Sequence, residues 1–318
     1  MKTEAYLFVH FVGSEDSPEA EQIYFSVSAD GETWNILNNG KCVLASTISE
    51  KGVRDPYILR SSKNNKFYII ATDLSIHNRK RVTESKLAWK QCQNILPDNP
   101  NKGSKKIVVW ESTDLVHWSD ARLADAAPND AGCYWAPKCI WDEEKQKFMV
   151  FGASRTAVDN YTYLRLYRSY TNDFKSFTRA ELMMSEENRH IFDASIVKDK
   201  GKYYCIYKSS DRLKLDCADT LDGEWTAVDT NIHAVAPCHE GPAICKINGE
   251  DAWLVMLDSL IPPGGYEPFV TKDLSSGKFI GLEAEVKFPQ NVKCRHGSLL
   301  TITKEEYNRL VEVYGTVK

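Results

Sequence analysis

Runs of five to eight aromatic and β-branched residues, separated by clusters of Gly, Asn, Asp and Ser, fill the chain from its start to about Thr303. Short apolar runs bounded by turn formers read as strands, and helical spacing is nearly absent from them. The exception is the end, where Lys304 to Tyr314 can form a helix, with Thr303 as its cap and Glu306 closing a capping box. The pattern predicts an all-β chain with one short C-terminal helix.

Two motifs recur. In the first, an apolar strand runs into a Ser/Thr-x-Asp or similar turn and then an aromatic residue. Its five copies are YFSVSADGETW (Asp30, Trp34), VVWESTDLVHW (Asp114, Trp118), YRSYTNDFKSF (Asp173, Phe177), LDCADTLDGEW (Asp219, Trp225) and PFVTKDLSSGKF (Asp273, Phe279). An Asp at such a turn bonds its own backbone two residues on, while the aromatic packs between neighbouring sheets. In the second motif a polar or acidic residue opens an apolar strand, followed by a polar turn and another apolar strand: 54–72, 135–153, 192–208 and 240–257. A fifth opener, RHGSLLTIT (295–303), finds its partner strands at the other end of the chain, in AYLFVHF (5–11) and IYFSVS (23–28).

Four strands per repeat, five repeats, and one repeat shared between the termini describe a five-bladed β-propeller closed by pairing N- and C-terminal strands. Residues 1–318 are then expected to form a single catalytic domain. A two-sheet sandwich would leave the recurrence of the Asp–aromatic turn as coincidence.

In a propeller the first strand of each blade lines the axis, so residues opening those strands meet at one mouth. Here they are Asp55, Trp135, Asp193, Glu240 and the pair Arg295-His296. Taken singly, each acid has an equally good structural reading: Asp55 as a turn residue before Pro56, Asp193 as a strand cap, Glu240 as a partner of Arg295. Together, three carboxylates beside aromatic side chains suit hydrolysis of a glycosidic bond, which needs a protonated acid at the leaving oxygen and an ionised base to activate water. A third carboxylate near the acid would raise its pKa by like-charge repulsion. Trp135 can offer a flat face to a sugar ring. His296 points into the channel, as a ligand for water or a cation or as a buried, satisfied histidine. Loops 155–163 and 258–268, the last carrying Tyr266, are expected to form a rim on the same face, and 73–106 reads equally as part of that rim or as a solvated insertion.

Composition narrows the partners. The 318 residues carry a formal net charge of −4, against a phosphate-gripping nucleic-acid protein. No stretch approaches the ~18 to 20 apolar residues of a membrane helix, and nothing points to a protein partner. Nine cysteines without a C-x-x-C pair or repeated spacing argue against zinc and against a disulfide framework. With a poor signal-peptide start, they place the chain in the cytoplasm.

The markers Arg54-Asp55-Pro56-Tyr57-Ile58, Trp135-Ala136-Pro137, the Asp opening FDASIVKDKGKYY, and Glu240-Gly241-Pro242 stand in an order that resembles glycoside hydrolase family 43 over nearly the whole chain. The resemblance implies an inverting mechanism on arabinose- and xylose-containing saccharides, with Asp55 as general base, Glu240 as general acid, and Asp193 raising the pKa of Glu240 and orienting it. It also implies that Arg295 contacts the sugar or a carboxylate; Trp135, by its axial place, and Tyr266, on the rim, complete the expected substrate-binding set. His296 lies where several members hold an axial calcium, often through water; no cofactor is required for the chemistry. Phe192 departs from the Ile that many members carry before the second Asp. The activity implied is exo-acting release of terminal α-L-arabinofuranosyl residues, with β-D-xylosides as a second class, from arabino- and xylo-oligosaccharides. A non-catalytic carbohydrate-binding propeller and a retaining fructosidase of the invertase type are the alternatives. The latter's Trp-Met-Asn-Asp-Pro and Glu-Cys motifs are missing here.

Overall fold

The computed structural model describes residues 2–13, 15–80, 85–93, 103–282, 286–288 and 293–317. Their strands form five antiparallel sheets arranged as the blades of a propeller. The second blade comprises Val53–Arg60, Phe67–Asp73, Ile107–Ser112 and Arg122–Ala124, and the third Trp135–Asp142, Lys147–Ser154, Arg165–Thr171 and Glu181–Met184. The fourth comprises Ile191–Asp199, Lys202–Ser209, Arg212–Ala218 and Thr226–Ala227; the fifth His239–Lys246, Trp253–Ser259, Gly265–Thr271 and Ile280–Gly281. The first blade closes the ring. Its inner strand Arg295–Ile302 pairs with Ala5–Phe11, in a register running from Ala5 opposite Ile302 to His10 opposite Gly297. Tyr24–Ser28 and Asn35–Leu37 follow, and Thr316–Val317 adds a fifth strand at the outer edge, one more than the repeat predicts.

Each sheet is sandwiched between two others, which is why the second strands read as unbroken apolar runs. Phe67–Asp73 and Trp253–Ser259 are buried at every position. Successive side chains go to different gaps: Ile69 and Ala71 to the core between blades one and two, Tyr68 and Ile70 to that between two and three. Leu7 and Val9 likewise face blade two while Tyr6 and Phe8 face blade five. The remaining gaps are filled around Phe151 and Cys205 and around Ile206 and Val255. Five gaps, each with its own apolar core, stabilise a closed ring. Each buried Leu, Ile or Phe adds roughly 1.5–3 kcal/mol.

The Asp turns form at Asp30, Asp114, Asp173 and Asp273, whose carboxylates accept from backbone N–H groups two residues on. Asp219 does not. It is exposed and pairs with Lys202 at 2.9 Å. In all four working copies the Ser or Thr two residues earlier also accepts a turn N–H: Ser28 from Gly31, Ser112 from Leu115, Thr171 from Phe174 and Thr271 from Asp273. Cys217 stands at that position before Asp219, and a thiol is a weak acceptor.

The C-terminal helix Lys304–Tyr314 carries the expected capping box between Thr303 and Glu306, and Arg60 grips Glu306 at 2.6 Å to fix it against blade two. The segment 73–106, expected as a loop, contains helices Ile76–Lys80 and Ser85–Cys92; its residues 81–84 and 94–102, with Pro97 and Pro100, lie outside the described residues. Glu21, fully buried, seats the first of these helices by accepting from the backbone N–H of Ile76 and His77, both at 3.0 Å. Among the described residues no helix is long and apolar enough to cross a membrane.

Candidate active site

Every inner strand breaks register near its start. In blades two to five the breaks lie between Arg54 and Tyr57, Trp135 and Lys138, Phe192 and Ser195, and Glu240 and Ala243. In blade one His296 is the residue skipped. Such bulges re-aim side chains, and here they aim at the axis. The left-handed position of the bulge is held by Asp55 (φ 51°), Ala136 (φ 46°), Asp193 (φ 51°) and Gly241 (φ 56°). Asp tolerates this conformation better than most residues. In blade five only glycine fits, because a Cβ on Gly241 would stand 2.7 Å from the His296 ring. The acid of that blade therefore comes from the preceding position, equivalent to Arg54, Trp135 and Phe192. Glu240 has the longer side chain needed to reach in.

His296 is the hub. Its Nδ1 lies 3.0 Å from Asp55 Oδ1 and 3.7 Å from Asp193 Oδ2, and its Nε2 lies 3.1 Å from both Glu240 Oε1 and Asp258 Oδ2. These contacts put Asp55 and Glu240 on opposite nitrogens of one ring, and with both near 3 Å the two oxygens can stand at most about 8 Å apart, a span with room for the ~6.5–9.5 Å arrangement that admits an attacking water. Thr72 Oγ1 donates to Asp55 Oδ2 at 2.7 Å and accepts from the Ala136 N–H at 2.9 Å, locking blade two to blade three. Asp193 Oδ2 accepts from the Gly241 N–H at 3.2 Å.

Burial opposes charge at every one of these groups, and the neighbours decide the outcome. For Asp55, burial is outweighed by the hydrogen bond and charge of His296, with Arg54 and Thr72, and the carboxyl is held at about 2. For Asp193, burial together with the charges of Glu240 and Asp55 prevails over His296 and lifts it to about 7. Glu240 is also desolvated, but its direct bond to His296 outweighs burial and the nearby Asp258, so it lies below the ordinary range. His296 is driven well above the usual histidine value in spite of burial, by Asp193, Asp258, Asp55 and Glu240. Near neutrality His296 keeps its proton and Asp193, at about 7, is only part protonated, so the raised carboxyl is Asp193, where the expectation had been Glu240.

A cavity of about 240 Å³ opens over this cluster, lined by Asp55, Asp193, Glu240, Arg295 and His296 on its floor and by Arg54, Trp89, Trp135, Leu164 and Phe192 among its walls. Trp135, half-buried, meets Trp89 edge-on at 5.9 Å. Arg54 is clamped between the rings of Phe11 and Trp89 and bonded to Glu21 at 2.8 Å. A larger groove of about 590 Å³ at the outer edge of blade three, near Asn129, Arg165 and Glu181, holds none of these carboxylates.

Tyr266, expected to bind substrate, does not reach the cavity. It is buried, its hydroxyl donates to Gly241 O at 2.5 Å and accepts from the Gly297 N–H at 2.9 Å. The strand Gly265–Thr271 begins one residue before it, so Tyr266 ties blade five to blade one and is no part of the rim. Asp258 was not anticipated. It sits directly across from Glu240 in the strand register, is wholly buried, and ion-pairs with Arg295 Nε as well as His296. Arg295 also stands 3.7 Å from Glu240.

Asp193, Glu240 and His296 bring ligand atoms within 4.8 Å of one another, the spacing on which an axial calcium would depend. The donor set does not fit that ion. Calcium takes about six to eight oxygens, whereas both His296 nitrogens already face carboxylates as those of an imidazolium. The ammonium of Lys138 shares the narrow axial space below.

The family model Glyco_hydro_43_rel, described as "Probable glycosyl hydrolase domain", matches residues 2–308. The chain belongs to this family, the group related to glycoside hydrolase family 43. An α-L-arabinofuranosidase of Bifidobacterium longum subsp. longum is 29% identical over 223 residues, 64% of this chain and 19% of its own length. The chain thus spans about a fifth of that curated relative. An endo-1,4-β-xylanase structure from Bacteroides thetaiotaomicron superimposes with a TM-score of 0.56 at 14% identity, covering 84% of this chain and 86% of its own. The catalytic domain of a family 62 α-L-arabinofuranosidase from Coprinopsis cinerea gives 0.51 at 13%, covering 79% and 73%. At such identities the structures share the fold alone.

Proposed function

We propose that this protein is an inverting, exo-acting glycoside hydrolase that releases terminal α-L-arabinofuranosyl residues, and β-D-xylosyl residues as a second class, from hemicellulose-derived oligosaccharides. The observation that carries the reading is the placement of Asp55 and Glu240 on opposite nitrogens of His296, at the floor of one cavity. Asp55, ionised at any working pH, activates water. Glu240 protonates the leaving oxygen. A sugar entering the cavity expels water and raises Glu240, and the proton that Asp193 holds below about pH 7 passes to it within the cluster.

A volume of about 240 Å³ lies below the roughly 300–1,000 Å³ of sites for larger ligands, which favours one terminal sugar over a run of several. The arabinofuranosidase relative supports the choice of sugar. We place the catalysis in one domain over 1–318 and the protein in the cytoplasm, where nine free thiols persist. The test is hydrolysis of aryl α-L-arabinofuranoside and β-D-xyloside, with the first-formed anomer followed by NMR. Inversion is expected; retention counts for the fructosidase-type route, and binding without release counts for a binding module.

A further inference from the structure

On the propeller axis beneath the carboxylates lies a cavity of only about 10 Å³, walled by Asp55, Ala136, Lys138, Asp193, Gly241, His296 and Gly297. Lys138 is 4% exposed on the inner strand of blade three. Its Nζ donates across the axis to the carbonyl oxygen of Pro242 in blade five, passing over the blade between them. A lysine is almost never this buried unless something holds its charge. Asp193 and Asp55, on the two blades flanking its own, supply the opposing charge. Burial pulls the ammonium down to about 8, so it still carries its proton at neutral pH.

We propose that Lys138 is the resident cation of the axial channel, a tethered ammonium that joins blade three to blade five and balances the acidic cluster where a metal ion would otherwise be needed. Geometry argues for it on three counts. The remaining void is about one water in size. The donor of the cross-axis bond is the lysine itself. A divalent ion placed there would meet both this ammonium and the His296 imidazolium at close range.

The test begins with the intact protein. Its melting temperature in EDTA and in millimolar CaCl₂ should agree within about 1 °C, and elemental analysis should find no stoichiometric metal. A chelator-dependent fall in melting temperature, or calcium at one equivalent, overturns the proposal. Next, Lys138→Met, which keeps the bulk and removes the charge, should lower the melting temperature by roughly 5–15 °C; an unchanged value also overturns it. Finally, Lys138→Ala opens space, and its melting temperature should rise with added methylammonium while wild type and Lys138→Met do not respond. Absence of that rescue in a folded Lys138→Ala protein counts against a cation role. These measurements read stability and metal content, so they stand or fall apart from the assigned activity.

Discussion

Replacing His296 with Gln removes the charge that four carboxylates share. Asp55 lies at about 2 in the folded protein against an ordinary 3.8. At about 1.4 kcal/mol per unit, that difference stabilises the fold by about 2 kcal/mol. Because the folded value is the lower one, the contribution is present above about pH 4 and is lost as pH falls through about 2. His296 has the opposite sign. Its folded pKa is raised, so its contribution is complete below about 6.5 and fades as pH climbs toward the folded value. Removing one partner of a buried charge cluster costs roughly 3–5 kcal/mol, or about 6–20 °C in melting temperature for a domain somewhat smaller than this one. His296→Gln should therefore melt lower than wild type, with the gap widest near pH 6.5. The gap should narrow toward pH 4, where the unpaired carboxylates of the variant take up protons and stop repelling one another. Circular-dichroism melts from pH 4 to 8 measure this. A gap that stays constant across the range would refute the hub role of His296.

Leaving-group dependence separates the catalytic acid from the base: Glu240→Gln should lose about 10²–10⁴ of its rate on poor leaving groups and little on dinitrophenyl glycosides, whereas Asp55→Asn should fail on all of them, and the opposite pattern would reverse the assignment. The pH profile of kcat/KM should fall as pH rises through about 7, where the cluster loses the proton centred on Asp193, and Asp193→Asn should abolish that limb; its persistence would place the titration elsewhere. Tyr266→Phe strands the Gly297 N–H and frees Gly241 O, so it should cost about 1–3 kcal/mol in stability with KM nearly unchanged. Trp135→Ala should do the reverse, raising KM with a small change in melting temperature.

The ring was legible in the linear pattern because a propeller repeats the same burial problem five times. A strand covered on both faces has to be apolar throughout, and a turn at the blade edge favours an Asp with a hydroxyl two residues before it. Where that pair is broken, as at Cys217 and Asp219, the motif survives in the letters, but the Asp carboxylate pairs with Lys202 and the turn closes on backbone alone, from the Gly223 N–H to Thr220 O. The three acids were legible for the same reason, since each opens an inner strand. Pairwise contacts were not. Asp258 closes the run Trp253–Ser259 and looks like the first residue of a loop until the register sets it opposite Glu240. Tyr266 follows a Pro-Pro-Gly-Gly turn and looks like rim, although Gly265 has already begun the next strand. Lys138 carried a sign that a stricter reading of burial would have used. It stands between Pro137 and Cys139 in a strand whose two faces pack against neighbouring blades, and a charge in that setting has one polar direction left to take, inward to the axis. A lone lysine inside an otherwise apolar inner strand is thus a readable mark of a built-in axial cation, and its replacement by an apolar residue in a relative should go with a metal in the same channel.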